Sequence, residues 1–237
     1  MSKRAVVLAG GKGTRLAPYT SVFPKPLMPL GETPILEIIL RQLARGGFTD
    51  VTLAVGYLSQ LIQAYFGDGS EFGLSLTYSR EARPLGTAGP LRLIEDLDEP
   101  FLVMNGDVLT TLDYGSFLES HISSGADATI STFMRTHTVD FGVIETADNG
   151  DVVRYLEKPA SDFLVSMGVN ALSPDVLRLI GDDEHLDVPD LIVRLIEGGR
   201  RVRSSVFNGY WLDVGRHDDF AQAAEEFSTH RDEFLVP

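Results

Sequence analysis

Near the N-terminus, three glycines and two cations that could hold phosphate lie close together: Leu8-Ala9-Gly10-Gly11-Lys12-Gly13-Thr14-Arg15, then Phe23-Pro24-Lys25-Pro26-Leu27. Glycines let a backbone approach an anion closely, and consecutive N–H groups can form a nest around phosphate oxygens. Arg15 would add a forked donor and Lys25 a point charge. The bland alternative is a tight strand-to-helix turn with two solvated cations. The run fits neither familiar phosphate motif. G-x-G-x-x-G would need glycine at Leu16 or Arg15, and a P-loop would need Ser or Thr where Gly13 stands.

Two carboxylates form the second candidate group. Asp107 follows the apolar run FLVMN and so falls at the carboxyl end of a buried strand, where open α/β sheets bind ligands. Asp213 follows the only tryptophan, Trp211, by two residues. Carboxylate oxygens are hard ligands suited to Mg²⁺, but the spacing of 106 residues gives no reason to pair these two. Each alone reads equally well as a cap or turn residue. Lys158, after VVRYLE and before Pro159, reads by itself as an exposed edge residue. The five histidines (His121, His137, His185, His217, His230) show no metal-ligand spacing and read as surface or packing residues. DDEHLD (182–187) and the C-terminal acidic stretch read as solvated faces. No nucleophile elbow is present, so covalent hydrolase chemistry has no support.

The elements that must position these residues alternate in the first half. Strands are expected at 4–9, 51–56, 74–79 and 101–105, with helices at 34–46, 59–66, from Thr87, and at 114–124. Pro34 opens the second of these segments and Gly46-Gly47 ends it. This βαβ spacing predicts a Rossmann-like α/β fold: a mixed, mostly parallel sheet with helices on both faces. The second half is richer in strands, at 128–134, 141–146, 151–159, 163–172 and 201–207. Asp148-Asn149-Gly150 signals a hairpin turn between two of them. Helices are expected near 174–180, 188–197 and from His217. With no linker or repeat, residues 1–237 read as a single domain, with an α/β half at about 1–110 suited to a nucleotide and a more antiparallel half at about 111–237.

Bulk composition narrows the partners. The 237 residues carry a formal net charge of −14, which repels nucleic acid and anionic membranes but not a small anion held by clustered cations. No apolar run approaches the length of a membrane span, and the N-terminus lacks a signal-peptide pattern. There is no cysteine, hence no disulfide framework or thiolate metal site. A cytoplasmic location is the expectation.

Taken in order, the motifs resemble the sugar nucleotidyltransferases across essentially the whole chain. G-G-x-G-T-R followed by P-K-P-hydrophobic is that family's signature. Glu81-Ala82-Arg83-Pro84-Leu85-Gly86-Thr87-Ala88-Gly89-Pro90 looks like the base loop of the mannose-1-phosphate guanylyltransferase branch. Asn105-Gly106-Asp107, Glu157-Lys158-Pro159 and Trp211-Leu212-Asp213-Val214-Gly215 look like the first metal, sugar-phosphate and second metal elements. The resemblance implies that Arg15 and Lys25 act in catalysis. It implies that Leu8, Ala9, Gly10, Gly11, Gly13, Thr14, Glu81, Gly86 and Thr87 bind the nucleotide. Gly142, Glu157, Lys158 and Asn170 would bind the sugar phosphate, although Gly142 could equally mark a bulge and Asn170 be a satisfied polar residue in a strand. Asp107 and Asp213 would hold Mg²⁺.

The implied reaction joins a nucleoside triphosphate to a sugar 1-phosphate. GTP is favoured because a carboxylate at Glu81 only accepts hydrogen bonds, and guanine offers two adjacent donors. Glu81 facing solvent is the bland alternative. A heptose-1-phosphate guanylyltransferase, a uridylyl- or thymidylyltransferase, and a non-catalytic sensor of nucleotide sugars stay open, as does a homodimer. Longer family members continue into a β-helix or regulatory domain after such a closing helix, and functions that depend on one are not implied here.

Overall fold

The computed structural model describes residues 2–11 and 13–235, so Lys12 of the first glycine-rich run lies outside the described residues. The chain runs β1 (Lys3–Ala9), the two-residue pair β2 (Pro29–Leu30) and β3 (Thr33–Pro34), α1 (Ile35–Arg45), β4 (Phe48–Val55), α2 (Ser59–Phe66), β5 (Ser75–Arg80) and β6 (Phe101–Asn105). It continues through β7 (Val108–Thr110), α3 (Tyr114–Ser124), β8 (Ala128–Thr138), β9 (Val143–Thr146), β10 (Val152–Leu156) and β11 (Ala160–Leu172). It closes with α4 (Val188–Glu197), β12 (Val202–Phe207), β13 (Trp211–Asp213), α5 (His217–Thr229) and α6 (Arg231–Leu235).

Seven strands form one sheet in the order β12-β8-β11-β6-β1-β4-β5. All neighbours are parallel except β11, which runs antiparallel to both β6 and β8. The mostly parallel sheet expected from the sequence is therefore present, with one reversed strand inside it. The central strands are buried on both faces, which is why they read as unbroken apolar runs. Along β1, Ala5, Val7 and Ala9 enter one core with α1, α2, α3, α5 and α6, whereas Val6 and Leu8 enter the other with α4. In α1, Ile35, Ile38, Ile39 and Leu43 fall on one face and are fully buried, each worth about 1.5–3 kcal/mol of hydrophobic burial. Gly46 caps that helix and Gly47 takes the left-handed φ of 78° that turns the chain into β4.

Several local expectations need correction. The helix expected from Thr87 is a 3-10 turn, Gly89–Leu93, and 174–180 is another, Pro174–Leu179. Each carries proline in its first turn and too few residues to sustain α-helical bonding. The strand expected over 151–159 ends at Leu156, and the next begins three residues earlier than expected, at Ala160. Lys158 is therefore not on a strand but in the corner between them, with φ 43°. The hairpin turn does form at 148–150, where Gly150 adopts φ 89° and Ala147 N–H donates to the Asp151 carbonyl. No helix among the described residues is long and apolar enough to cross a membrane.

Candidate active site

A cavity of about 820 Å³ opens at the carboxyl ends of β1, β4, β5 and β6. Leu8, Ala9, Gly10, Gly11, Gly13, Thr14 and Arg15 line one wall as β1 runs into its loop, and Glu81, Gly86 and Thr87 line another. Lys25, Asp107 and Asp213 form its floor with Asn105 and Gly106. The structure thus gathers all the expected nucleotide, catalytic and metal residues in one place.

The glycines permit close approaches. Gly13 has φ 60°, and its carbonyl accepts the Thr20 hydroxyl at 2.7 Å; a methyl group on it would lie 2.9 Å from Thr20 Cγ2. A methyl group on Gly106 would meet the Leu8 carbonyl oxygen at 2.9 Å, so β6 can turn beside β1 only with glycine there. A cis bond joins Ala17 to Pro18 in the loop that follows. Pro24 and Pro26 then flank Lys25 at the start of a 3-10 turn, and Leu27 buries the turn in the core.

Asp107 and Asp213 come together through a short antiparallel pair that sequence patterning did not show. Strand β13 pairs with β7 so that Asp213 faces Val108, and Val214 N–H donates to the Asp107 carbonyl at 3.0 Å. Lys25 Nζ forms an ion pair with Asp107 Oδ2, while Asp107 Oδ1 is buried with no hydrogen-bond partner among the described residues. The Asp213 carboxyl is held above its usual pKa, first by burial and then by the Asp107 charge. Lys25 pulls it back down, Asp219 raises it again, and Arg15 lowers it. Two adjacent carboxylates, one with an orphaned oxygen, form a donor set that calls for added positive charge. Among the described residues no third His, Cys, Asp or Glu joins them. That suits Mg²⁺, which typically takes one or two carboxylates and leaves positions for phosphate oxygens.

The base-loop residues carry constraints that the sequence did not reveal. Glu81 Oε2 accepts the Leu85 N–H at 2.8 Å, so one carboxylate oxygen already braces its own loop and keeps only its second lone pair. Thr87 donates its N–H and hydroxyl to Asp187 Oδ1, and its hydroxyl accepts the Val188 N–H. Its N–H and hydroxyl are thus engaged within the protein. The reading of 182–187 as a solvated face holds for Asp182 and Asp183, which are exposed while pairing with Arg92 and Arg83, but not for Leu186, which is buried; Glu184 is half-buried and pairs with Arg194. His185 of that segment lines the cavity, as does Tyr57, and neither stood out in the sequence. His121 is buried as packing, beside Thr129 and Ser173.

The four expected sugar-phosphate residues do not line this cavity. Glu157 and Lys158 are exposed at the corner after β10, where Tyr155 Oη donates to Glu157 Oε2 at 3.2 Å. Gly142 lies against the same tyrosine, and a methyl group on it would sit 2.6 Å from Tyr155 Cζ. Asn170 is buried in β11 just past an irregularity in its pairing with β8. Its neighbour Gly168 packs on Asn105 of the cavity, with 2.6 Å between the Asn105 amide nitrogen and where a methyl group would be. Gly142, Tyr155 and Glu157 thus make a cluster of their own on the β9–β10 hairpin, and β11 connects Asn170 to the cavity floor.

The sequence matches the Nucleotidyl transferase family over residues 4–230. It is 33% identical over 240 residues to the UTP–glucose-1-phosphate uridylyltransferase of Synechocystis sp., covering 93% of this chain and 62% of that protein. It is also 33% identical over 251 residues to the mannose-1-phosphate guanyltransferase of Yarrowia lipolytica, covering 99% and 68%. The chain thus spans somewhat under two thirds of the first relative's length. Its structure superposes on that of HddC from Yersinia pseudotuberculosis complexed with GMP-PN with a TM-score of 0.72 and 26% identity, covering 95% of this chain and 99% of that one. The chain therefore belongs to the nucleotidyl transferase family.

Proposed function

We propose that this chain is a cytoplasmic sugar-1-phosphate nucleotidyltransferase that uses GTP in preference and mannose 1-phosphate as acceptor, giving an NDP-sugar and pyrophosphate. The observation that carries the proposal is the meeting of Arg15, Lys25, Asp107 and Asp213 in one cavity at the carboxyl ends of parallel strands. In this reading residues up to about 110 hold the nucleotide and the remainder holds the sugar phosphate.

The chemistry asks for positioning and charge neutralisation more than for proton transfer. A phosphate monoester has a second pKa of about 6, so the sugar phosphate arrives largely dianionic and no strong base is needed. One of its oxygens attacks the α-phosphorus of the triphosphate. The bond from that phosphorus to the α–β bridging oxygen breaks, and pyrophosphate leaves with the electron pair. The glycine loop from Gly10 to Gly13 cradles the phosphates through its N–H groups, and Arg15 and Lys25 neutralise the departing pyrophosphate. Asp107 and Asp213 would hold Mg²⁺, which would supply further positive charge to the reacting phosphates. Lys158 grips the sugar phosphate and Glu157 a sugar hydroxyl, with Gly142 and Asn170 against the ring. These residues stand outside the nucleotide cavity: Gly142 just before β9, Glu157 and Lys158 in the corner after β10, and Asn170 on β11.

The base preference rests on Glu81. With Oε2 partly engaged by Leu85, guanine N1–H and the exocyclic amine would share Oε1 and the remaining lone pair of Oε2. A uridylyl reading is the second one, favoured by the identity to the Synechocystis uridylyltransferase. The test is pyrophosphate release from GTP, UTP, dTTP and ATP, each with mannose 1-phosphate and glucose 1-phosphate. A higher kcat/KM for UTP or dTTP than for GTP overturns the base assignment, and no release with any pair overturns the activity.

A further inference from the structure

The base loop is held by a segment that follows it by 100 residues in the chain. Leu186 N–H donates to the Leu85 carbonyl at 2.9 Å, and the Leu186 carbonyl accepts the N–H groups of Ala88 and Gly89 at 2.8 and 3.0 Å. Arg83 Nη2 donates to Asp183 Oδ2 at 2.6 Å and to the Asp183 carbonyl at 2.7 Å. The contact is close enough to dictate glycine. Gly86 has φ 78°, and a methyl group there would lie 2.5 Å from the Leu186 carbonyl oxygen.

Asp187 completes the attachment in an unusual way. It stands at the N-cap of α4, where an aspartate ordinarily accepts N–H groups from its own first turn. Here its carboxylate makes no such cap and reaches across the chain instead: Oδ1 accepts the Thr87 N–H at 2.9 Å and the Thr87 hydroxyl at 3.0 Å. Thr87 Oγ1 in turn accepts the Val188 N–H at 2.8 Å, satisfying one of the first N–H groups of that helix. Asp187 thus caps the backbone of Thr87, and Thr87 caps the first residue of α4. Loop and helix become one unit.

We infer that Asp187 is a positioning residue for base selection, fixing through Thr87 the loop that presents Glu81 and Gly86 to the nucleotide. The inference rests on the reading that residues 81–90 face the base. Without Asp187, the loop loses a charge-assisted acceptor that serves two donors, and Glu81 loses the framework that sets its distance from Gly10 and Gly56. A carboxylate reading adjacent donors depends on that distance. Misplacing it weakens the preferred base more than it weakens the phosphate contacts, which belong to a different loop.

The test measures kcat and KM of the full chain for GTP, UTP and mannose 1-phosphate, with Tm alongside, in D187A, D187N, T87V and E81Q. In D187A the KM for GTP rises about tenfold, equivalent to about 1.4 kcal/mol, and the GTP-to-UTP ratio of kcat/KM narrows. Its kcat changes by less than about threefold, and the KM for mannose 1-phosphate is unchanged, since both depend on groups outside this loop. D187N, which keeps an Oδ1 acceptor for both donors, returns most of the way to wild type. T87V, close in shape to threonine and lacking the hydroxyl, narrows the GTP-to-UTP ratio of kcat/KM in the same direction and supplies that readout should D187A fail to fold. A lower Tm with unmoved GTP KM and base ratio in D187A and T87V makes the contact purely structural and overturns the inference. If E81Q alone shifts the base ratio, the base-loop reading stands and the role of Asp187 falls. If none of the four shifts it, both fall.

Discussion

Replacing Lys25 by methionine keeps the length of the side chain and removes its charge beside Asp107. The two side chains are 14% and 24% exposed, so water screens the pair only in part. The change leaves Asp107, whose Oδ1 already lacks a partner, facing Asp213 with no ammonium between them. A charge-assisted hydrogen bond contributes about 1.5–3 kcal/mol. Taking about 2 kcal/mol, and about 2–4 °C per kcal/mol for a chain of this size, Tm should fall by about 4–8 °C. Thermal unfolding in EDTA reads this directly. Millimolar Mg²⁺ should then raise the Tm of the variant more than that of the wild type, because a bound cation takes over the neutralisation that Lys25 supplied. In turnover with Mg²⁺ the same variant should lose roughly 10²–10³ in kcat, the usual cost of removing one electrostatic contact to the reacting charge. A variant within about 1 °C of wild type in EDTA, the size of an ordinary surface substitution, refutes the pairing. Equal Mg²⁺ responses in the two proteins refute the shared-cation argument.

Three further outcomes follow from single residues. Gly86→Ala places a methyl group 2.5 Å from the Leu186 carbonyl at a left-handed φ, itself worth about 1–2 kcal/mol, so Tm should drop and the KM for GTP rise; unchanged values of both contradict the close approach. Lys158→Ala should raise the KM for sugar 1-phosphate by about tenfold while leaving the KM for triphosphate alone, and the reverse pattern places Lys158 elsewhere in the reaction. Arg194 holds Glu184 at a pKa of about 2 against a usual value of 4.5. A lowered carboxylate pKa adds stability that is fully present above the unfolded value and is lost as pH falls through the folded one. The Tm gap between wild type and Glu184→Gln should therefore be constant above pH 4.5 and close as pH falls toward 2. A gap that widens in acid contradicts the assignment.

Much of this architecture is legible in the sequence because of where burial falls. Strands β1 and β6 are buried on both faces along most of their length, so their composition alone separates them from their surroundings. Asp148-Asn149-Gly150 marks a turn through its backbone preferences. Gly46-Gly47 ends a helix for the same reason. What stayed hidden was short or depended on distant partners. Strands β7 and β13 have three residues each, too few for any periodicity, yet their pairing is what brings Asp107 beside Asp213. The acids at 182–187 read as surface residues and Asp182 and Asp183 are exposed, but only the fold brings Arg83 and Arg92 to pair with them and Thr87 to meet Asp187. Lys158 looked like an edge-strand lysine, but the chain turns through a left-handed corner at that residue, which no local pattern announced. The sugar-phosphate residues rest on the resemblance alone, and the separation of Gly142, Glu157 and Lys158 from the nucleotide cavity follows from the β9–β10 hairpin standing apart from the main sheet.

The most direct test of the central claim is ³¹P NMR of the protein with Mg²⁺, GTP and mannose 1-phosphate. The account predicts that GTP and mannose 1-phosphate disappear together, giving equal amounts of pyrophosphate and a GDP-sugar. It also predicts no change when either substrate is left out, and reversal on adding pyrophosphate to the product. Phosphate or pyrophosphate released without the sugar phosphate, or no reaction with any triphosphate and sugar 1-phosphate tried, would contradict it.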